Sequence, residues 1–302
     1  MNPPNLPAPM LALLLAPLMI GIINRTKALV AGRRGPPLLQ AYRDLVKLSR
    51  RGTVYGDVTT PLVRLGPVLN LAALVTALLI VPFPGAGAAA SFSGDLIVLV
   101  GLLALGRFAT VLAALDTGSS FEGMGASREV HFAALAEPAL LIALATLTRV
   151  TGGSDLAAIY KAITVDAWAH ALPALVLVGV SLLVLELVEN SRIPVDDPTT
   201  HLELTMIHEV MVLDHGGPDL GAIQYAAALK LWLVGVLLIG LLPLDGMPAW
   251  LAAGAALAGM AVLGTVIGMI ESAMARYRLV TVPQFIVGAA TVSAVAFLAL
   301  LV

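Results

Sequence analysis

Residues 248–270 read PAWLAAGAALAGMAVLGTVIGMI and contain no charged side chain. A membrane-spanning α-helix needs about 20 mostly apolar residues, because the hydrocarbon core of a bilayer is about 30 Å thick. The stretch therefore predicts a membrane span. Seven other stretches of similar length and hydropathy are predicted to be spans, at roughly 8–24, 66–83, 95–115, 132–150, 167–188, 222–243 and 283–302.

The composition of the whole chain is that of a membrane protein. Hydrophobic residues make up 59% of the 302 positions, charged residues make up 12%, and the mean hydropathy is +0.96. Soluble globular proteins carry about 25% charged residues, so most of this surface is expected to face something other than water. We predict an all-α polytopic protein that forms one integral membrane domain over residues 1–302.

The basic residues predict how that domain is oriented. Most of them fall in alternate loops or at the adjoining span ends, namely Arg25, Lys27, Arg33, Arg34, Arg43, Lys47, Arg50, Arg51, Arg64, Arg128, Arg192, Arg276 and Arg278. The opposite loops hold only Arg149 and Lys161. Because cytoplasmic loops are enriched in Lys and Arg, we predict that both termini lie outside. The predicted cytoplasmic loops cover about 25–65, 116–131, 189–221 and 271–282.

The segment after the first span, GRRGPPLLQAYRDLVKLSRR at 32–51, mixes apolar and basic side chains. Its apolar residues recur at spacings of three and four, which is typical of one helix face. Pro36 and Pro37 suit the start of a helix. We predict an amphipathic helix that lies in the membrane interface; a basic loop that touches anionic lipid is the alternative.

Charged residues inside the spans are candidates for function, because a charge at the membrane centre costs at least about 2.5 kcal/mol. Arg107 lies in the third predicted span and is followed by DTGSSFEGMGASREVHFAALAEP at 116–138. The glycines and serines of this segment permit irregular, close-packed backbone. Arg128 and Glu129 then open a helix in which Glu137 lies about two turns deep.

Glu137 is next to a predicted helix defect, since Pro138 removes the backbone donor that would have bonded the carbonyl of Ala134. A carboxylate at such a position suits a proton relay. The same residues also fit a structural Arg–Glu pair that pins two helices. Both interpretations stay open from the sequence, and the case for a relay role is weaker for Glu129.

A second group of carboxylates lies at the end of the fifth span. Glu186 and Glu189 are three residues apart and therefore share one helix face. Two close carboxylates rarely both stay ionised in a poorly solvated site, which is useful for a proton carrier. Asp197 and Pro198 are typical of a helix N-cap and first position.

Histidines and acids in the following loop include His201, His208, Asp214 and His215. Their spacing matches no standard zinc pattern, so we predict no metal site. We expect a polar cytoplasmic loop that docks a soluble partner, with Glu209, Arg33 and Arg34 contributing.

Two single charges remain. Lys230 in the sixth span can either reach the interface or lie buried among carboxylates, and the sequence favours neither. Glu271, at the inner end of the seventh span, is expected to cap the helix or to pair with Arg276.

The chain lacks the common catalytic motifs. No P-loop, dinucleotide-binding glycine pattern, nucleophile elbow or kinase motif is present. The basic residues lie beside the membrane instead of forming a nucleic-acid patch. With no cysteine, the chain cannot hold an iron–sulfur cluster through thiolates. We therefore predict a subunit that binds no cofactor itself and conducts or couples, with the chemistry in partner subunits.

Three segments together resemble a known family: GRRGPPLLQAYRDLVKL at 32–48, GASREVHFAALAEP at 125–138 and ENSRIPVDDPTTHLELTMIHE at 189–209. They are similar to the subunit 1 family of respiratory complex I, and more closely to its relatives in membrane-bound group 4 [NiFe] hydrogenases such as formate hydrogenlyase and hydrogenase-4. The resemblance implies eight spans and a subunit that joins a cytoplasmic redox arm to an ion-pumping membrane arm.

The resemblance also implies roles for matching residues. Glu137 stands at the acidic position of the fourth-span motif, and Glu189, Arg192, Asp196 and Glu203 match the loop after the fifth span. The proton-relay candidates are Glu129, Glu137, Glu186, Glu189, Asp196, Asp197, Glu203 and Lys230, with Arg107, Arg128 and Arg192 as supporting positive charges.

The chain departs from complex I after the loop aspartate, where Pro-Glu-Ala-Glu is usual and Pro198-Thr199-Thr200-His201 stands here. Its fourth-span motif also reads Ala-Leu-Ala-Glu in place of Ala-Gln-Ser-Tyr-Glu. Both differences favour the hydrogenase branch, which is not expected to need quinone.

The resemblance implies a non-catalytic subunit of an energy-converting hydrogenase-type complex in a prokaryotic inner membrane. Its expected partners are the hydrogenase large and small subunits or their complex I counterparts, a ferredoxin-like iron–sulfur subunit and antiporter-like membrane subunits. The [NiFe] and iron–sulfur clusters belong to those partners, and the transferred ion is H⁺ or Na⁺. The alternatives are a quinone-binding complex I subunit and a purely structural membrane anchor.

Overall fold

The computed structural model describes residues 7–196 and 206–301, and these residues are helical with no β-sheet. In chain order the α-helices are α1 (Pro7–Val30), α2 (Gln40–Ser49), α3 (Pro61–Ile80), α4 (Asp95–Asp116), α5 (Ser120–Thr151), α6 (Leu156–Lys161), α7 (Val165–Glu189), α8 (Gly217–Ile239), α9 (Ala249–Ala273) and α10 (Val282–Leu298). A short 3-10 helix covers Glu209–Val212. The predicted all-α fold is confirmed.

Seven of these helices, α1, α3, α4, α5, α7, α8 and α9, are long and apolar enough to cross a membrane. The eighth predicted span corresponds to α10, which is apolar but has only 17 residues. At 1.5 Å per residue its length is about 26 Å, slightly less than the hydrocarbon core. The chain is a polytopic membrane protein whose span limits differ by several residues from the predicted ones; α3 begins at Pro61 instead of residue 66, and α8 at Gly217 instead of 222.

The predicted loop at 116–131 is mostly wrong, because α5 begins at Ser120 and runs for 32 residues. The irregular backbone is wrong from Ser120 onward, whereas close packing is seen at Gly125. A β-carbon at Gly125 would clash with Val210 and with the carbonyl of Ile207. Glycine at this position therefore lets the 3-10 helix lie directly against α5.

The predicted amphipathic helix is present as α2, but it begins at Gln40 instead of at the prolines. Pro37 keeps Pro36 out of the helical region of backbone space. No side chain of α2 is buried. The hydroxyl of Tyr42 donates to the carbonyl of Leu14, so α2 is tied to the first span.

One proline inside a helix leaves a free carbonyl that a neighbouring helix satisfies. Pro17 inside α1 has no amide hydrogen, so the carbonyl of Leu13 loses its helical donor. The hydroxyl of Tyr225 on α8 donates to that carbonyl at 2.7 Å. This bond holds α8 against α1.

The loops that carry most of the basic residues meet at one end of the bundle, which we call the basic end. Its described connecting segments are 31–60, which includes α2, 117–119, 190–196, 206–216, which includes the 3-10 helix, and 274–281. Tyr55 donates to Asp219 at 2.6 Å, and the backbone amide of Tyr277 donates to the carbonyl of Pro194 at 2.8 Å. At the opposite end, the amide of Leu156 donates to Asp95 at 2.8 Å.

Candidate functional site

Arg107 is the centre of a cluster of charged side chains inside the bundle. It lies on α4, and its side chain is only 8% exposed. Its Nη2 donates to both oxygens of Glu189 on α7, at 2.7 and 2.6 Å. Its Nη1 pairs with Glu137 on α5, and its Nε lies 3.2 Å from an oxygen of Glu129. One guanidinium therefore contacts three carboxylates from two helices.

Lys230 on α8 completes this group, since its Nζ lies 2.9 Å from Glu189. Of the two alternatives for Lys230, the structure places it among carboxylates. We call Arg107, Glu129, Glu137, Glu189 and Lys230 the Arg107 cluster. With three acids and two bases, its formal net charge is −1 when every member is ionised.

Exposure changes across the Arg107 cluster. The side chain of Glu137 is 32% exposed, whereas that of Glu189 is 2% exposed. A cavity of about 50 Å³ is lined by Arg107, Glu129, Glu189 and Lys230 together with neighbouring residues. Because one water needs only about 10–15 Å³ of such volume, this space is large enough for water between the charged groups.

Glu186 and Glu189 both point into the bundle, in agreement with the prediction that they share a helix face. Glu186 is fully buried. Within the described part of the chain, neither of its carboxylate oxygens has a hydrogen-bond partner. The charges that act on it are those of Arg192, Lys230 and Glu189.

A second group of charges joins α1, α9 and the loop after α7. Glu271 lies 2.7 Å from Nζ of Lys27 and 3.4 Å from Nη1 of Arg192. We call these three residues the Glu271 cluster, and its formal net charge is +1. The expected pairing of Glu271 with Arg276 is wrong, because Arg276 is paired elsewhere.

Asp196 is the partner of Arg276, at 2.6 Å. Its other oxygen accepts the backbone amides of Ile207 and His208, at 3.0 and 3.3 Å. Asp196 thereby joins the two described parts of the loop. Arg128 donates to the carbonyl of Met206 at 2.8 Å, on the same side of the bundle. The predicted residues Asp197, His201 and Glu203 lie outside the described residues.

The predicted docking residues do not share one environment. Arg33, Arg34 and Asp214 are exposed, and His208 and Glu209 are partly exposed. His208 and Glu209 line a cavity of about 320 Å³ between α1, α2 and α8. Arg33, Arg34 and Asp214 therefore lie on the outer surface of the basic end, and His208 and Glu209 lie at this cavity.

His215 was also expected to dock a partner, and this is wrong because its side chain is buried. Its Nε2 lies 3.2 Å from the carbonyl of Val63. Pro67 inside α3 has removed the helical donor of that carbonyl. His215 therefore replaces a missing backbone hydrogen bond.

Sequence reasoning missed Glu122 as a buried charge, and it missed Lys27 as the partner of Glu271. Glu122 is fully buried in the first turn of α5 and accepts the backbone amide of Asp214 at 2.9 Å. A carboxylate in a first helical turn is a recognisable signal, but the start of α5 was placed too late. Lys27 was counted only as a basic loop residue.

Among the residues that the structure describes, no group of three or more His, Cys, Asp or Glu could hold a metal ion.

Comparisons with known proteins agree with the resemblance seen in the sequence. The profile of a family described as NADH dehydrogenase matches residues 6–302. Formate hydrogenlyase subunit 4 of Escherichia coli (strain K12) is 32% identical over 278 residues, which is 89% of each chain. Hydrogenase-4 component C of the same organism is 32% identical over 237 residues, 76% of this chain and 71% of its own.

A solved structure shows the same fold. It is that of the membrane-bound sulfane sulfur reductase, an archaeal respiratory membrane complex, and it superposes with a TM-score of 0.84 over 98% of both chains at 18% identity. The relatives are thus membrane subunits of hydrogenase-type and respiratory complexes. The chain belongs to the NADH dehydrogenase subunit 1 family.

Proposed function

We propose that this chain is the membrane subunit of an energy-converting, hydrogenase-type complex. It anchors a soluble arm whose subunits hold the [NiFe] and iron–sulfur clusters, and it relays protons, or Na⁺, from that arm to antiporter-like subunits. The identity to formate hydrogenlyase subunit 4 and hydrogenase-4 component C supports this choice over other complexes.

The observation that carries the relay is the contact of Arg107 with Glu129, Glu137 and Glu189. When one of these acids takes up a proton, its attraction to Arg107 weakens and the other two hold the guanidinium. A proton can therefore move from one carboxylate to another while Arg107 stays paired with ionised carboxylates. The adjoining cavity of about 50 Å³ provides space for water to carry the proton between them.

A purely structural anchor is the alternative from a different class. A single Arg–Glu pair is enough to pin two helices, and each further charge inside the bundle adds a desolvation cost. The Arg107 cluster holds three acids, and Glu186 adds a fourth that has no hydrogen-bond partner among the described residues. This surplus of buried acid favours proton transfer over anchoring.

We further propose that the basic end faces the cytoplasm of a prokaryotic inner membrane. The excess of Lys and Arg in its loops supports this orientation. Exposed Arg33, Arg34 and Asp214 then face the soluble arm, with His208 and Glu209 beside them, and α2 lies in the membrane interface. Nucleic acid is not an expected partner.

A quinone-binding role, as in a complex I subunit, is favoured by one observation. The cavity of about 320 Å³ between α1, α2 and α8 has both polar and apolar walls, including Asn24, Gln40, Ile20 and Ala228. Such mixed walls are typical of sites for small organic molecules. The replaced Pro-Glu-Ala-Glu motif at 198–201 argues against quinone.

The distinguishing experiment is purification of the chain with its native partners in mild detergent, followed by partner identification and assays for nickel and quinone. We expect iron–sulfur subunits, nickel and no bound quinone. Quinone with NADH-linked partners and no nickel would overturn the hydrogenase assignment in favour of complex I. If the complex is recovered without antiporter-like subunits, the anchor role would still stand, but no subunit would be present to receive the relayed ions.

A further inference from the structure

Charges from two groups of opposite net charge act on Glu186. The Arg107 cluster is formally −1, and the Glu271 cluster is formally +1. The charges that act on Glu186 are those of Glu189 on its own helix, Lys230 on α8 and Arg192 in the loop. Its protonation state therefore depends on both groups.

The two cations of the Glu271 cluster lie at different distances from the carboxylate of Glu271. Lys27 lies 2.7 Å from Glu271, whereas Arg192 lies 3.4 Å from it, at the far limit of a hydrogen bond. In the described part of the chain, Nε of Arg192 has no hydrogen-bond partner although the residue is 8% exposed. Arg192 is thus the member that can move while Glu271 stays neutralised by Lys27.

A buried carboxylate without a partner is costly when ionised. In the arrangement seen here, Glu186 is therefore expected to carry its proton. If that proton leaves, the new negative charge attracts the nearest cation that can be released at little cost. Arg192 meets this condition, whereas Lys230 is already engaged by Glu189 at 2.9 Å.

We propose that Glu271 and Lys27 are positioning residues of the relay, which hold Arg192 away from Glu186 while Glu186 is protonated and release it when the proton leaves. The step moves only a proton, from the Glu186 carboxyl through water to the Arg107 cluster, and a proton that returns to Glu186 sends Arg192 back to Glu271. The inference rests on the proposed relay function and extends it to α1 and α9.

The test measures the protonation of Glu186 in the purified resting complex by infrared spectroscopy of its carboxyl C=O band. Glu186→Gln identifies the band by removing it. We expect Glu271→Gln to abolish the band, because Arg192 and Lys27 lose their shared anion and Arg192 moves to Glu186. We expect Lys27→Gln to leave the band in place, because Glu271 then depends on Arg192 alone.

A band that persists in Glu271→Gln, or that is lost equally in both variants, would overturn the proposal. If Glu271→Gln does not assemble, Arg192→Gln serves instead, because it removes the only cation proposed to move. The band should then persist at pH values where the wild-type band has disappeared, and its loss at the same pH would contradict the proposal. The infrared measurement needs no turnover and is therefore independent of ion coupling. Normal ion coupling in a Glu137 variant would reject the relay function, but it would not change what the band shows about Glu186 and Arg192.

Discussion

Arg107 Nη2 donates to both carboxylate oxygens of Glu189, at 2.7 and 2.6 Å, and so ties the middle of α4 to the last turn of α7. Both side chains are almost fully buried. The same guanidinium also contacts Glu129 and Glu137, so it offsets one of the three negative charges that these acids of α5 and α7 bring into the bundle.

Replacing Arg107 with Gln should destabilise the protein strongly. Three carboxylates would then share the single positive charge of Lys230, and removing one partner of a buried ion pair costs about 3–5 kcal/mol. The measurement is unfolding of the purified protein in detergent. The matched control is Arg149→Gln, an exposed arginine on α5, which should change stability by less than about 0.5 kcal/mol. Equal effects of the two substitutions would show that the Arg107 cluster contributes no stability.

The contact between His215 and Val63 predicts an interaction with Pro67. His215→Phe removes the donor to the carbonyl of Val63 and should cost about 1–3 kcal/mol. Pro67→Ala restores an amide hydrogen that can bond the same carbonyl, so the double variant should recover part of the loss. A double-mutant cycle measured by unfolding should give a coupling of about 0.5–3 kcal/mol. Strict additivity would mean that His215 does not replace the missing bond.

Asp155 predicts a pH dependence of stability at the opposite end of the bundle. The backbone amide of Ala158, at 2.9 Å, and the hydroxyl of Ser91, at 2.8 Å, donate to its carboxylate. These bonds, first that from Ala158, hold the pKa of Asp155 below its ordinary value of 3.8. Such a group contributes stability above its unfolded pKa and loses it as the pH falls through its folded pKa.

Asp155→Asn keeps the helix cap and removes this titration. The wild type should melt at a higher temperature than the variant near neutral pH, and the difference should shrink as the pH falls below about 4. Exposed Asp245→Asn serves as the control and should show no such trend. A difference between wild type and Asp155→Asn that stays constant across pH would contradict the assignment.

The helices could be predicted from the sequence because apolar length is a local property. The run at 248–270, for example, appears as α9 over Ala249–Ala273. The start of α5 could not, because Gly125 is explained only by its contact with Val210 in a distant segment. Glycine composition alone favoured a loop at this position.

In the site, too, the features that depend on local sequence could be predicted, and the contacts between distant segments could not. The shared face of Glu186 and Glu189 follows from a spacing of three residues on one helix. For Lys230 the sequence left two alternatives equal, and only the contact with Glu189 at 2.9 Å distinguishes them. The pairing of Glu271 with Lys27 joins residues near opposite ends of the chain. Nothing in the local sequence of either residue indicates the other, and Arg276 was the nearer cation along the chain.

The central claim is that the acids that contact Arg107 carry ions, and Glu137→Gln tests it most directly. The complete complex is placed in liposomes, electrons are supplied by a reduced viologen dye, and ions moved per electron are measured. We predict that Glu137→Gln assembles and transfers electrons but no longer moves ions, that Glu203→Gln behaves alike, and that Asp245→Asn matches the wild type. A wild-type ratio of ions to electrons in both glutamate variants would contradict the relay.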